Sequence, residues 1–220
     1  MIYTIICDTR KRDFSHQIKE DCRLERQSIP DFPEEIREYI DRAKNSLVRE
    51  ERYAAYSTLL YSLKCLYGVE NPKIMREKDG KPRLVSHDIF FNISHFDGLV
   101  VVSISDKCDV GVDLQSEISP EREARLSARF LSGFSSLPHP LEIEYLYLEN
   151  GRFFTLDLPM ANGEKFTEKW TSFESVLKLF GDGFAAADNA QTLSQNVKTD
   201  TRVIKIDNTL FSLSNSIKNG

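Results

Sequence analysis

Four short stretches hold the side chains able to do chemistry. In Gly111-Val112-Asp113-Leu114-Gln115, strand alternation sends Val112 and Leu114 to one face and sets Asp113 and Gln115 side by side on the other. A carboxylate beside an amide oxygen suits a hard cation such as Mg²⁺, which takes oxygen ligands and commonly one or two carboxylates, with water and phosphate completing the octahedron. The same residues also fit an edge strand with a polar outer face. In Trp170-Thr171-Ser172-Phe173-Glu174-Ser175-Val176-Leu177-Lys178, Glu174 and Lys178 are one helical turn apart and share a face. They read either as a solvated ion pair or as a metal ligand beside a phosphate-binding lysine. Phe90-Phe91-Asn92-Ile93-Ser94-His95-Phe96-Asp97-Gly98 ends a β-run in a hydroxyl and an imidazole that can hydrogen-bond an anion, although a lone turn histidine would look the same. Gly80-Lys81-Pro82-Arg83-Leu84 reads as a turn offering backbone amides and a lysine to phosphate, and equally as a plain surface turn.

The elements that must position these groups follow from periodicity. An apolar strand is expected over residues 2–7, and a helical pattern begins near Pro33. Over 49–67, Tyr53, Tyr56, Leu59, Leu60, Leu63 and Tyr67 recur at helical spacing, with Gly68 placed to stop the helix. Short β-runs at 89–93, 99–105 and 110–114 predict a small antiparallel meander. A helix over 120–131, a hairpin over 141–158 turning at Asn150-Gly151, a helix over 166–180 and a final hairpin turning at Asp207-Asn208 complete the series. The order predicts an α+β fold of two similar α/β lobes, residues 1–110 and 111–220, each a small antiparallel sheet packed with helices, forming one unit with a ligand cleft between them.

Bulk properties narrow the class. The chain has 220 residues, 40% of them hydrophobic and 29% charged, as soluble globular proteins do. A net charge of -5 argues against a nucleic-acid partner. Four cysteines without a CxxC pair suggest neither a zinc site nor a redox motif. The opening residues hold only a brief apolar run before charges arrive, so neither a secretion signal nor a membrane span is expected, and a cytoplasmic protein without membrane contact is.

Taken in order, GKPRL, FNISHFDG, GVDLQ and WTSFESVLK resemble the ordered motifs of the two-lobed 4'-phosphopantetheinyl transferases, with Ala128-Arg129-Phe130-Leu131-Ser132 similar to that family's Arg-Phe-Phe-Ser helix end. The resemblance spans residues 49–183. It implies Mg²⁺-dependent transfer of the 4'-phosphopantetheine arm of coenzyme A to a serine of an acyl or peptidyl carrier protein, releasing 3',5'-ADP. By the same resemblance Asp113, Glu174 and the Gln115 position would hold Mg²⁺. Ser94 and His95 would bind the nucleotide's 3'-phosphate, Lys81 and Pro82 would face the adenine end, and Arg52 and Thr58 would touch the nucleotide. Glu174 would accept the serine proton, and Lys178 would steady the phosphates. A monomer is implied, since both halves of the site lie in one chain.

Three departures stand out against that pattern. Gln115 replaces a glutamate, Phe173 replaces a lysine, and the stretch over 133–168 is longer than usual, with Tyr145, Tyr147, Phe153 and Phe154 able to build an added hairpin that reads either as a structural elaboration covering the second lobe or as one that shapes the carrier docking surface. Gln115 and Phe173 motivate an alternative reading, a degenerate relative that binds coenzyme A or a carrier without catalysing transfer.

Overall fold

The computed structural model describes residues 1–11, 32–76, 80–85, 87–130, 139–181 and 194–219. Its strands are β1 (Ile2–Asp8), β2 (Lys73–Arg76), β3 (Pro82–Val85), β4 (Phe90–Phe96), β5 (Leu99–Ser105), β6 (Val110–Ser116), β7 (Ile143–Glu149), β8 (Arg152–Leu156), β9 (Val197–Ile206) and β10 (Thr209–Lys218). Its helices are α1 (Glu34–Asp41), α2 (Ser46–Tyr67), α3 (Pro120–Phe130) and α4 (Phe166–Phe180). The α+β expectation holds. Leu131, Ser132 and Gly183, and the part of the long stretch up to residue 138, lie outside the described residues.

The strands form a five-stranded sheet in the order β4-β5-β1-β7-β8, a three-stranded sheet in the order β6-β10-β9, and the hairpin β2-β3. β1 is apolar on both faces, as a strand must be when both are covered. Ile5 and Cys7 pack with Leu59 and Leu63 of α2, whereas Ile6 packs with Val112, Leu114 and Leu213 of the smaller sheet. Opposite faces of β6 divide in the same way: Val112 and Leu114 face the larger sheet, and Gly111 meets α4. The result is four layers in the order α2, larger sheet, smaller sheet, α4.

The meander expected from β4, β5 and β6 does not form. β4 and β5 pair, but β6 leaves for the second sheet and pairs with β10, more than ninety residues away in sequence. The cause is hydrophobic patterning: Leu99 and Val101 need cover over the face away from α2, and Val112 and Leu114 supply it by stacking across rather than pairing alongside. The larger sheet also draws strands from both sides of residue 110, because β7 joins β1 in parallel and β8 pairs with β7. The expected hairpin of the long stretch is therefore an extension of that sheet.

Local signals set the ends. α2 begins at Ser46, earlier than the apolar spacing alone predicts, because the Asn45 side chain accepts the Leu47 amide at 2.9 Å. It stops at Gly68, whose φ of 67° closes the helix in the left-handed region. Asn150 and Gly151 (φ 53° and 66°) make the tight β7-β8 turn.

Candidate functional site

β4 and β6 are edge strands of different sheets, and two side chains join them. The Asn92 amide oxygen accepts the Val112 amide at 3.0 Å, and the Ser94 hydroxyl accepts the Leu114 amide at 3.2 Å. Side chains thus satisfy backbone donors that a neighbouring strand would otherwise take. Along this seam opens a cleft of about 420 Å³, lined by Arg52, Tyr39, Tyr56, Arg76, Pro82, residues 92–96, residues 113–115, Arg122, Glu174 and Lys178. Its walls come from both sides of residue 110.

Asp113 is the centre of its charge network. Ser94 donates its hydroxyl to Asp113 Oδ1 at 3.0 Å, and the Lys178 ammonium reaches the same oxygen at 2.5 Å and Ser94 Oγ at 2.9 Å. One lysine on α4 thereby ties β4 to β6. Burial pushes the Glu174 carboxyl up to about 7, and the negative charge of Asp113 adds to the effect while Lys178 opposes it. The second oxygen of Asp113 is buried with no donor among the described residues other than a protonated Glu174. Two carboxylates crowded in this way want a further cation.

The helix carrying Glu174 and Lys178 is set against β6 by a missing side chain. A Cβ built on Gly111 would lie 2.0 Å from the Ser175 carbonyl oxygen and 2.6 Å from the Leu179 amide nitrogen. Both neighbours are backbone, so no rotamer change relieves the clash. Glycine at this position lets α4 approach closely enough for Glu174 to stand beside Asp113.

Towards α1 the cleft turns cationic. The guanidinium groups of Arg52 and Arg76 lie 4.1 Å and 3.6 Å from the centroid of the Tyr39 ring. Arg52 donates to the Tyr39 carbonyl at 2.7 Å, and Arg76 to the Gly80 carbonyl and the Tyr56 hydroxyl. The buried Nε of each has no hydrogen-bond partner among the described residues. His95 stands on the cleft wall, its Nδ1 2.7 Å from Glu51. Tyr39, Arg76 and Arg122 were invisible as site residues in the sequence: each lies on an element whose approach to the cleft is decided by long-range packing.

The structure brings Arg52, Pro82, Ser94, His95, Asp113, Gln115, Glu174 and Lys178 to one cleft. Lys81 and Thr58 are not among the residues lining it. Lys81 is buried, its ammonium 3.0 Å from the Asp109 carboxylate and 2.8 Å from the Leu179 carbonyl near the end of α4. Burial pulls its pKa down, and Asp109 pushes back. Its side chain ties the β3 turn to α4. Thr58 is fully buried on the core side of α2 beside Cys7. Phe173 is fully buried as well, packed with Trp170, Leu177, Ile118 and Phe130 where α3 meets α4. Phe173 is not among the residues lining the cleft.

The donor set suits a hard cation. Asp113 and Glu174 offer two carboxylates, and the Gln115 amide lies on the same strand face as Asp113. Among the described residues no cluster of three or more His, Cys, Asp or Glu is placed to hold a metal ion, and a zinc-like cage is not the arrangement seen.

No profile of a known protein family matches the chain. Over 136 residues it is 32% identical to the 4'-phosphopantetheinyl transferase gsp of Aneurinibacillus migulanus, an alignment covering 62% of this chain and 49% of that protein. The chain spans about half the length of the curated relative it matches. The resemblance first read from four short motifs is thus found again in a comparison of longer sequence, and no helix among the described residues is long and apolar enough to cross a membrane.

Proposed function

We propose that the chain transfers the 4'-phosphopantetheine arm of coenzyme A to a serine of an acyl or peptidyl carrier protein, releasing 3',5'-ADP. The observation that carries this reading is the meeting of Asp113, Glu174 and Lys178, from separate elements, in a cleft whose other end is lined by Arg52, Arg76 and His95. An elongated ligand with a pyrophosphate in its middle and a further phosphate at one end matches that distribution. Both walls belong to one chain, which supports a monomer, and the cytoplasm is the compartment where such carriers and coenzyme A would be met.

Asp113, Glu174 and Gln115 would hold Mg²⁺, which when bound supplies charge neutralisation at the pyrophosphate. The rest is the work of side chains. Arg52, Arg76 and His95 hold the nucleotide end, and Ser94 keeps Asp113 and Lys178 in register. The carrier serine oxygen attacks the phosphorus bearing the pantetheine arm, and the bond from that phosphorus to the oxygen of the ADP moiety breaks. Glu174 accepts the serine proton, and Lys178 offsets the charge gathering on the departing ADP.

The test is transfer of a fluorescent coenzyme A analogue to a panel of purified acyl and peptidyl carrier proteins, with Mg²⁺ and with EDTA. Labelling should vanish with EDTA and in Asp113→Ala. Labelling that persisted in both would refute the assignment of this cleft.

A further inference from the structure

Glu51 is a buried carboxylate near the start of α2 that the proposed reaction does not use. It is 8% exposed and makes two short contacts: Oε2 lies 2.7 Å from His95 Nδ1, and Oε1 accepts the Gly98 amide at 2.7 Å. Burial pushes this carboxyl up, but the hydrogen bonds from His95 and Gly98 outweigh it and hold it below its usual range. An ionised carboxylate can only accept, so the hydrogen of that contact sits on Nδ1.

Two consequences follow for the ring. Its Nδ1 is occupied on the helix side, leaving Nε2 as the nitrogen that His95 can turn toward the cleft it lines. Its orientation is also fixed at both ends of the segment, because the same carboxylate pins the tight turn after it, where Asp97 and Gly98 adopt φ of 49° and 76°. One side chain on α2 therefore sets the angle of the last residues of β4. Histidines that bind ligands are commonly held in this way through the nitrogen that does not touch the ligand.

We infer that Glu51 is the positioning residue of the nucleotide subsite, fixing the angle of His95 and balancing the charge of the imidazolium whose Nε2 hydrogen is donated to the terminal phosphate of the ligand. This role rests on reading the cleft as a coenzyme A site. It makes Glu51 specific for one phosphate: a ligand lacking the 3'-phosphate gives the oriented ring nothing to hold.

Calorimetric binding of coenzyme A and of dephospho-coenzyme A, which lacks the 3'-phosphate, to wild type, Glu51→Gln, His95→Ala and the double variant tests this. Glu51→Gln should weaken coenzyme A about tenfold, leave the dephospho form unchanged, and cost nothing further in the His95→Ala background. Nitrogen-15 imidazole spectra of the coenzyme A complex should find hydrogens on both nitrogens of His95 in wild type and the Nδ1 hydrogen lost in Glu51→Gln. An equal loss with and without His95, or a ring unchanged by the substitution, would overturn the role while wild type still bound coenzyme A. Wild type that bound neither nucleotide would overturn the coenzyme A reading and this role together.

Discussion

At the scale of single residues, Glu174 carries the sharpest prediction. Its folded-state pKa of about 7 stands above its ordinary 4.5, so the folded chain keeps a proton that the unfolded chain has already lost between those values. Stability should fall as pH rises through that window and stay lower above it. Glu174→Gln removes the dependence: without Mg²⁺ at pH 8 it should unfold at a higher temperature than wild type, by on the order of 2 kcal/mol, while losing transfer by roughly 10²-fold or more. Thermal unfolding scans across pH, paired with transfer rates, check both halves. Gln115→Glu restores a carboxylate beside Asp113, and a Mg²⁺ titration of transfer should saturate at lower concentration than in wild type. Most of these polar residues were legible as candidates because strand and helix periodicities place Asp113 with Gln115 and Glu174 with Lys178. The fate of Lys81 was not, since a Gly-Lys-Pro turn says nothing about whether its lysine turns outward or inward. Glu51 gave no signal either, because its partner His95 is 44 positions away.

At the scale of elements, the site depends on how closely α4 approaches β6. Gly111→Ala places a methyl group against the backbone of Ser175 and Leu179. It should destabilise the fold by about 1–3 kcal/mol and lower transfer at least as strongly as Glu174→Gln lowers it, because the whole helix must shift. Equilibrium denaturation and transfer rates measured together would detect this, and a variant with unaltered stability and rate would contradict the packing described. Lys81 is the complementary case. Lys81→Ala removes the ammonium from Asp109, which keeps Arg83 as a partner, and from the Leu179 carbonyl and should cost about 1–3 kcal/mol of stability, yet under conditions where the protein remains folded its affinity for coenzyme A should stay within about twofold of wild type, a difference of roughly 0.4 kcal/mol. The end of α2 and the turn of the β7-β8 hairpin were readable from Gly68 and from Asn150 with Gly151, whereas the start of α2 at its Asn45 cap was not. The destination of β6 was not: short apolar runs in sequence order suggest neighbours, and only the need to cover Leu99 and Val101 sends β6 to the opposite layer.

At the scale of the whole molecule, two sheets drawn from interleaved parts of the chain share a core, and the cleft runs along their seam. The expected division at residue 110 was drawn from sequence order alone, and β7, from beyond it, lies beside β1. Phe173, a departure that raised the prospect of a non-catalytic relative, proves to be core packing, while the carboxylates, Ser94 and Lys178 remain together at the seam. Intact-mass analysis of a carrier protein incubated with coenzyme A, Mg²⁺ and this chain reads out the proposed transfer itself. The carrier should gain one phosphopantetheine arm with one 3',5'-ADP released for each, and a carrier whose acceptor serine is replaced by alanine should gain nothing. Coenzyme A bound by the chain, with no mass gain on any acyl or peptidyl carrier tested, would rule out transfer and identify a protein that holds the ligand without transferring it.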